Sequence, residues 1–134
     1  SIGLVMLQIV PCLVYPPGHA CATLPAIVSL RPTNITWVAH INIKNNSKIF
    51  NCLRLEPQQG QIGVKLYRGQ CGTDIFTSTS WPKILFNTDA WTNLDVDAAK
   101  DEAVFSISGH SSASISSTID TTSADFFICL DHQD

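Results

Sequence analysis

A strict alternation of apolar and polar residues after Pro32 is the feature that most constrains the fold. Between Asn34 and Lys44, every second side chain from Ile35 onward is apolar, and the side chains between them are mostly polar. An alternation with a period of two over this length predicts a strand with one buried face. Shorter stretches of the same kind follow, so the sequence predicts an architecture built from strands.

The remaining predicted strands recur about every ten residues and are separated by turns rich in Gly, Pro, Asn and Asp. Several short strands with this spacing predict an all-β fold, a β-sandwich or jelly roll. The chain of 134 residues is long enough for one such domain with a buried core. The one predicted helical turn is Asp97–Glu102. The predicted strands after the first are Ile49–Leu55, Gln61–Tyr67, Asp74–Ser78, Lys83–Phe86, Trp91–Val96, Ala103–Ser108, Ser114–Ile119 and Asp125–Leu130.

The first 30 residues carry no charged side chain, and the first 15 are almost wholly apolar. A transmembrane helix needs about 20 apolar residues, whereas Pro11 and then Pro16-Pro17-Gly18 interrupt this run, so we predict no membrane span. A signal peptide is one alternative, because Ala20-Cys21-Ala22 has the form of a cleavage site, but no basic segment precedes the apolar run. We therefore predict an extended apolar arm and its Pro-Pro-Gly tether over residues 1–18, and a β-sandwich domain over residues 19–134.

The arm is apolar on both faces of a predicted strand, which suits a strand covered from both sides. One interpretation is that it forms the first strand of its own sandwich. The favoured interpretation is a donor strand that inserts into an edge groove of the next subunit, a head-to-tail contact that builds filaments because it does not close. The residues predicted at that subunit interface are Leu4, Val5, Leu7, Ile9, Val10 and Cys12.

An apolar arm ahead of an all-β body resembles the donor-strand, pilin-like subunits of extracellular fibrils. That resemblance implies a structural protein whose partner is a further copy of itself, in a head-to-tail homopolymer. A second resemblance, to the strand and turn of pre-peptidase C-terminal-like domains, is carried by Gly63-Val64-Lys65-Leu66-Tyr67-Arg68-Gly69 and Cys71-Gly72. Those domains are secreted β-sandwiches, so this resemblance implies the same fold and adds no activity.

Glycosylation acceptors and cysteines indicate a secreted protein in an oxidising compartment. Asn34-Ile35-Thr36 and Asn45-Asn46-Ser47 both fit the N-x-[ST] acceptor, so covalent N-linked glycans are predicted on Asn34 and Asn45. They indicate a eukaryotic or archaeal secretory route, which departs from the bacterial pilus subunits. Two disulfides are favoured over reduced core cysteines, with one cysteine free or bonded to another chain, and Cys12 on the arm suits that role. The disulfide candidates, whose pairing stays open, are Cys12, Cys21, Cys52, Cys71 and Cys129.

Neither the composition nor the motifs point to an enzyme or to a nucleic-acid-binding protein. The net charge of −3 argues against the clustered positive surface that nucleic acid needs. Nucleophilic catalysis needs a Ser or Cys with a His base and an orienting carboxylate, and no serine stands in a G-x-S-x-G motif. Gly109-His110-Ser111 reads as a polar turn. We therefore predict a protein that is not an enzyme and has no cofactor.

Two ligand sites remain as alternatives. Four clustered acidic residues offer the oxygen ligands that Ca²⁺ takes, but they lack a calcium-loop motif, so a solvated acidic turn is favoured over a metal site. Carbohydrate binding is the main alternative function, because Trp81 and Trp91 lie in turn-rich sequence where an indole ring can stack on a sugar. The four acidic residues are Asp95, Asp97, Asp101 and Glu102.

Stretches rich in Ser and Thr, over Ser111–Ser123 and Thr77–Ser80, predict uncharged outer faces. Such faces suit O-glycosylation, or contact with glycans or a neighbouring subunit. Together these features predict a structural subunit of an extracellular glycosylated fibril or surface assembly, which polymerises by N-terminal strand donation. The alternative is a monomeric secreted carbohydrate-binding or adhesion module.

Overall fold

Two antiparallel sheets pack face to face as a sandwich, which confirms the predicted all-β class. All the strand pairs in the described part of the chain are antiparallel, so no helical crossover is needed between neighbouring strands. Within that part, no helix is long and apolar enough to cross a membrane. The structure, a computed structural model, describes residues 5–10, 13–14, 19–23, 26–32, 38–45, 48–87, 89–98, 102–118 and 127–133.

Sheet 1 has six strands and joins the N-terminal part of the chain to its second half. It ends in a two-residue strand at one edge and in a long Ser-rich strand at the other. In spatial order its strands are β11 (His110–Thr118), β10 (Glu102–Ile107), β9 (Thr92–Ala98), β4 (Ala26–Pro32), β1 (Val5–Val10) and β2 (Leu13–Val14).

Sheet 2 also has six strands, and its last strand in the chain lies between two strands from the first third. In spatial order its strands are β3 (His19–Thr23), β12 (Phe127–Gln133), β5 (Val38–Asn45), β6 (Lys48–Gln58), β7 (Gln61–Arg68) and β8 (Ile75–Pro82). The strands β5 to β8 follow one another as hairpins. The β6–β7 hairpin turns at Gly60, whose φ of +78° lies in the left-handed region that favours glycine.

Alternate residues of the two sheets fill the space between them. On β5, Ala39, Ile41 and Ile43 are fully buried, which confirms the predicted period of two for this part of the Asn34–Lys44 strand. The beginning of that predicted strand lies outside the described residues. Sheet 1 contributes Leu94 and other apolar residues of β9, β10 and β11 to the same cluster. Burial of these apolar faces is the main source of stability for a sandwich of this size.

One local prediction is wrong, and a second is wrong at both of its ends. The segment Lys83–Phe86, predicted as a strand, contains a short 3₁₀ helix over Lys83–Leu85. The preceding strand runs on to Pro82, which pairs with Gln61 at the end of the β7–β8 ladder, so the chain has to leave the sheet there. Of Asp97–Glu102, predicted as a helical turn, Asp97 and Ala98 lie in β9 and Glu102 lies in β10, and these two strands pair with each other; residues 99–101 lie outside the described residues. A single helical turn is costly to nucleate, whereas both strands here extend an existing ladder.

Candidate functional site

The strand β1, which comes from the predicted arm, pairs with β4 along its whole length. The register runs from Val5 opposite Pro32 to Val10 opposite Ile27. On its other side β4 pairs with β9, so β4 would become an edge strand of sheet 1 if β1 were removed. In the single chain, β1 is a strand of sheet 1, beside β4 of the same chain. This arrangement corresponds to the interpretation in which the arm is the first strand of its own sandwich. The ladder itself depends on the two strands and not on the connection between them.

The two faces of β4 differ in exposure. Leu30, which lies opposite Leu7, is fully buried, whereas Ile27, opposite Val10, is 37% exposed. Since residues three apart on a strand point to opposite faces of the sheet, Leu30 lies on the core face of sheet 1 and Ile27 on its outer face. Of the residues predicted at a subunit interface, Val5, Leu7, Ile9 and Val10 lie in β1, and Leu4 and Cys12 lie outside the described residues.

The opposite lateral edge of the sandwich is formed by β8 of sheet 2 and β11 of sheet 1, which contact each other. The two Ser- and Thr-rich stretches of the sequence meet there. On β11, the alternate residues Ala113, Ile115 and Ser117 are buried and the residues between them are exposed, which confirms the predicted outer face for this strand. We call this surface the hydroxyl edge, and its exposed hydroxyl residues are Ser78, Thr79, Ser80, Ser111, Ser112, Ser114, Ser116 and Thr118.

The hydroxyl edge carries no Lys, Arg, Asp or Glu on either of its two strands. Among the described strands, each of the two is paired on one side only, so one row of its backbone N–H and C=O groups has no partner strand there. Native sheets usually protect such edges with charged residues, bulges or very short strands. The ladders of both edge strands contain a register shift, at Ser106/Ile107 and at Leu66/Tyr67, but neither edge strand carries a charge.

A buried hydrogen-bond chain links the two sheets near the hydroxyl edge. The Ser117 hydroxyl donates to Oδ1 of Asn51 at 3.0 Å, and Nδ2 of Asn51 donates to the backbone oxygen of Tyr67 at 3.0 Å. Both side chains are buried. Sequence reasoning missed this pair, because the two residues are distant in the chain. One feature of the sequence could have indicated the pair: Asn51 and Ser117 are each a polar residue at a core-facing position of a strand in which apolar and polar residues alternate.

Two cavities lie beside the 3₁₀ helix, and Leu85 and His110 line both of them. Their volumes are about 330 and 260 Å³. The smaller one is also lined by Asn93 and by Trp91, whose side chain is 43% exposed. The guanidinium carbon of Arg31 lies 6.0 Å from the centre of the Trp91 ring, a distance at which a cation–π contact helps to orient the ring. An exposed indole beside polar side chains can bind a sugar by stacking and hydrogen bonding.

Trp81, the other predicted sugar-stacking residue, is only 2% exposed. Its ring lies nearly parallel to that of Phe86, with 6.3 Å between the ring centres. It pairs with the buried Ile62 across β7 and β8, which places it on the core face of the sheet. This burial removes Trp81 from the candidate sugar site and leaves Trp91. The sequence predicted His110 only as part of a polar turn. No feature of the sequence indicated that His110 lines both cavities.

A disulfide joins Cys52 on β6 to Cys71 in the turn that follows β7, with 5.2 Å between the two Cα atoms. His40, on the neighbouring strand β5, has a ring nitrogen within 4.8 Å of both sulfur atoms. This is the only grouping of three or more metal-ligating side chains in the described part of the chain. Because the two sulfur atoms are bonded to each other, the grouping as it stands is a structural cross-link rather than a metal site.

The predicted acidic cluster is spread over two strands. The Asp95 carboxylate accepts a hydrogen bond from the Ser108 hydroxyl at 2.7 Å. Asp97 is exposed further along β9, and Glu102 is exposed at the start of β10, opposite Thr118. Asp101 lies outside the described residues. The described members therefore do not form a group of three ligands for a cation.

One of the two predicted glycosylation sites falls in a described strand. Asn45 is the last residue of β5 and pairs with Lys48 across the β5–β6 hairpin. Hairpin loops run over the surface of a domain, so the backbone at Asn45 lies at an end of sheet 2. Asn34 lies outside the described residues, as do residues 46–47, which complete the second acceptor.

Comparisons of the chain with protein-family models, with curated proteins and with solved structures find no match. The fold and the sites above define the protein as a disulfide-bonded β-sandwich. The resemblances to pilin-like subunits and to pre-peptidase C-terminal-like domains stay sequence-based predictions.

Proposed function

We propose that this protein is a structural subunit of an extracellular, glycosylated fibril or surface assembly. Subunits would polymerise head to tail, each donating its β1 strand to the β4 edge of the next. The observation that carries this proposal is the β1–β4 ladder, which runs along all of β1 and leaves β4 as an open edge when β1 is withdrawn. No catalytic residue, cofactor or metal ion is part of the proposal.

Strand donation conserves the contacts of the single chain. The ladder between chains would contain the same residue pairs as the ladder within a chain, so the balance between the two is set by the connecting segment and by protein concentration. The segment Pro16-Pro17-Gly18 joins the arm to β3. Consecutive prolines favour an extended chain, which would help the arm to reach a neighbouring subunit and so supports donation.

The unit that would move is a hairpin. The short strand β2 pairs with β1 through Gln8 opposite Val14 and Ile9 opposite Leu13. A donated hairpin would cover the β4 edge and present β2 as the new edge of the neighbour's sheet. Since β2 has only two residues, that new edge would be too short to template further pairing.

Three observations support an extracellular location. Cys52 and Cys71 form a disulfide, which persists in secreted proteins and is rare in reducing compartments. The Asn45 acceptor lies at a hairpin end, where an N-linked glycan can stay in water. The hydroxyl edge presents an uncharged surface, which suits contact with glycans.

Cross-linking between chains tests the proposal. Val10 and Ile27 lie opposite each other on β1 and β4, and Ile27 is 37% exposed, so a cysteine at position 27 disturbs the core little. We would co-express one chain carrying Val10→Cys with a differently tagged chain carrying Ile27→Cys, both in a Cys12→Ser background. Strand donation predicts a disulfide-linked heterodimer under non-reducing electrophoresis.

The matched control replaces Ile27→Cys by Thr118→Cys, an exposed position on β11 that pairs with Glu102 and not with β1. This pair of chains should give no heterodimer. If the Val10 and Ile27 variants cross-link only when both are in one chain, and the wild-type protein stays monomeric at high concentration, strand donation is wrong.

Carbohydrate binding at Trp91 is the second candidate function. It is favoured by the exposed indole at a cavity that Asn93 and His110 also line. In this case β1 would stay in its own sheet and the protein would act as a monomeric adhesion module. Calorimetric titration with soluble oligosaccharides tests it: binding should be lost in Trp91→Ala and kept in Ile75→Ala. Ile75 is equally exposed, at 43%, and lines neither cavity.

A further inference from the structure

Two cysteines are paired in the backbone register of the β3–β12 ladder. Cys21 on β3 lies directly opposite Cys129 on β12, in the middle of a continuous register that runs from Thr23 opposite Phe127 to His19 opposite Asp131. Neither cysteine is therefore at a ladder end, where pairing is least secure. The two strands come from the beginning and the end of the chain, so only the folded sheet brings these residues together.

We propose that Cys21 and Cys129 form the second disulfide bond of this protein. Residues directly opposite each other in an antiparallel pair have Cα atoms about 4.5–5.5 Å apart, and a disulfide requires about 4.4–6.8 Å. The existing bond between Cys52 and Cys71 spans 5.2 Å in the same measure. The backbone register thus supplies the separation that the bond needs, without movement of either strand.

The register also excludes the competing bond between Cys129 and Cys52. Cys129 lies opposite Asn42 on β5, and Asn42 lies opposite Cys52 on β6, so an intervening strand separates the two cysteines. Two strand spacings amount to about 9–10 Å, which is beyond the reach of a disulfide. Cys21, Cys129 and Cys52 therefore share one cross-strand row in which Asn42 separates Cys129 from Cys52, and the bond from Cys52 to Cys71 does not compete with the proposed one.

Formation of the bond is an oxidation by thiol–disulfide exchange. The two thiols lose two protons and two electrons as the S–S bond forms, and a disulfide oxidant such as oxidised glutathione accepts them and is released as two thiols. This assignment leaves Cys12 as the one cysteine without a partner in its own chain. It follows from the register alone and is independent of strand donation.

Peptide mapping of the unreduced protein, purified from an oxidising compartment and alkylated under denaturing conditions, tests the pairing. No Lys or Arg lies between Cys12 and Cys21, so trypsin cannot separate them, and pepsin should be used. We expect a cross-linked peptide that joins Cys21 to Cys129, and an alkylated Cys12 in monomeric protein. Free thiols at both Cys21 and Cys129, or a bond from Cys12 to either of them, would overturn the proposal.

Single substitutions provide a second readout. Cys21→Ser and Cys129→Ser should each release one additional titratable thiol, on the other member of the pair, and lower the melting temperature by about 5–15 °C. The double variant should melt close to the single variants, because one bond is lost in all three. Cys12→Ser is the matched control: it should lose the free thiol and leave the melting temperature and the cross-linked peptide unchanged. If Cys129 is still disulfide-bonded in the Cys21→Ser variant and releases no thiol, the assignment is wrong.

Discussion

The two lateral edges of the sandwich are closed in different ways. The hydroxyl edge consists of β8 and β11, with eight and nine residues, and each pairs with the strand that immediately precedes it in the chain. The other edge, which we call the arm edge, consists of β2 and β3, with two and five residues. There β1 pairs with β4, and β3 pairs with β12 from the far end of the chain.

This difference shows where the sandwich can open at the lowest cost. Local hairpins close short loops, whereas pairing between distant segments has a larger loop-closure cost. Elements with few local contacts also tend to open independently of the core. The arm edge therefore suits exchange of a strand between molecules, and the hydroxyl edge suits a permanent surface. A covalent bond at Cys21 would fix β3 to the body and confine exchange to the segment that precedes it.

The largest expected effect comes from deleting residues 1–15. The deletion removes β1 and β2 and leaves β4 as an open edge, with the loss of the whole β1–β4 ladder. At about 0.5–1.5 kcal/mol for each hydrogen bond, together with the lost apolar burial, the loss should exceed about 5 kcal/mol. That corresponds to a fall of roughly 20 °C or more in melting temperature, measured by circular dichroism.

A synthetic peptide of residues 1–15, added in trans, should restore much of the lost stability, because β4 accepts the strand whatever its connection. The control peptide carries Leu7→Asp, which sets a carboxylate opposite the fully buried Leu30. If the deletion variant is as stable as the full chain, β1 contributes nothing to the stability of the arm edge, and the difference proposed between the two edges is wrong. A wild-type peptide that rescues no better than the control would show that β4 does not take a strand in trans.

The next effect concerns the core behind the hydroxyl edge. Trp81→Ala removes a buried ring that stacks on Phe86, and should cost about 3–5 kcal/mol in urea unfolding. Trp81→Phe should cost much less. The indole N–H of Trp81 is buried and has no hydrogen-bond partner among the described residues, so its removal deletes an unsatisfied donor. Equal losses in the two variants would indicate that the N–H has a partner after all.

Strand positions and the core could be predicted where apolar residues alternate over a long run. Ile62, Val64 and Leu66 on β7 follow that rule and are buried, as predicted. The short run Lys83–Phe86 was ambiguous, since three or four apolar residues fit a strand, a turn or a 3₁₀ helix equally well. Its conformation depends on where the β7–β8 ladder ends, which is a tertiary property.

Sites that depend on pairing between distant segments could not be predicted. The sequence shows five cysteines but not that Cys52 meets Cys71, or that Cys21 and Cys129 share one register. Trp81 and Trp91 lie in similar turn-rich sequence, yet one ring is in the core and the other is exposed. The deciding factor for Trp81 is its register opposite Ile62, and local composition carries no information about register.

A smaller effect is expected at the buried link between the sheets. Asn51→Ala leaves the Ser117 hydroxyl and the Tyr67 carbonyl without their present partner, and should cost about 1–3 kcal/mol. Ser117→Ala should cost less, because Asn51 keeps its bond to the Tyr67 backbone. Since the two side chains contact each other, the double variant should lose less than the sum of the two single losses. Additive losses in a double-mutant cycle, followed by chemical denaturation, would mean that this bond does not couple the sheets.

The smallest effect on stability is expected at the hydroxyl edge itself. Ser114 and Ser116 are exposed on β11, so Ser114→Lys together with Ser116→Lys should change the free energy of unfolding by less than about 0.5 kcal/mol each. Positive charges on an edge strand oppose pairing with another strand. If the protein polymerises as proposed and its polymers also associate through this edge, light scattering should show weaker side-by-side association while growth by strand donation continues. The neutral Ser114→Ala and Ser116→Ala variants should keep that association. If the lysine variants instead stop growth and the arm deletion does not, polymers form through the hydroxyl edge, and the roles assigned to the two edges are reversed.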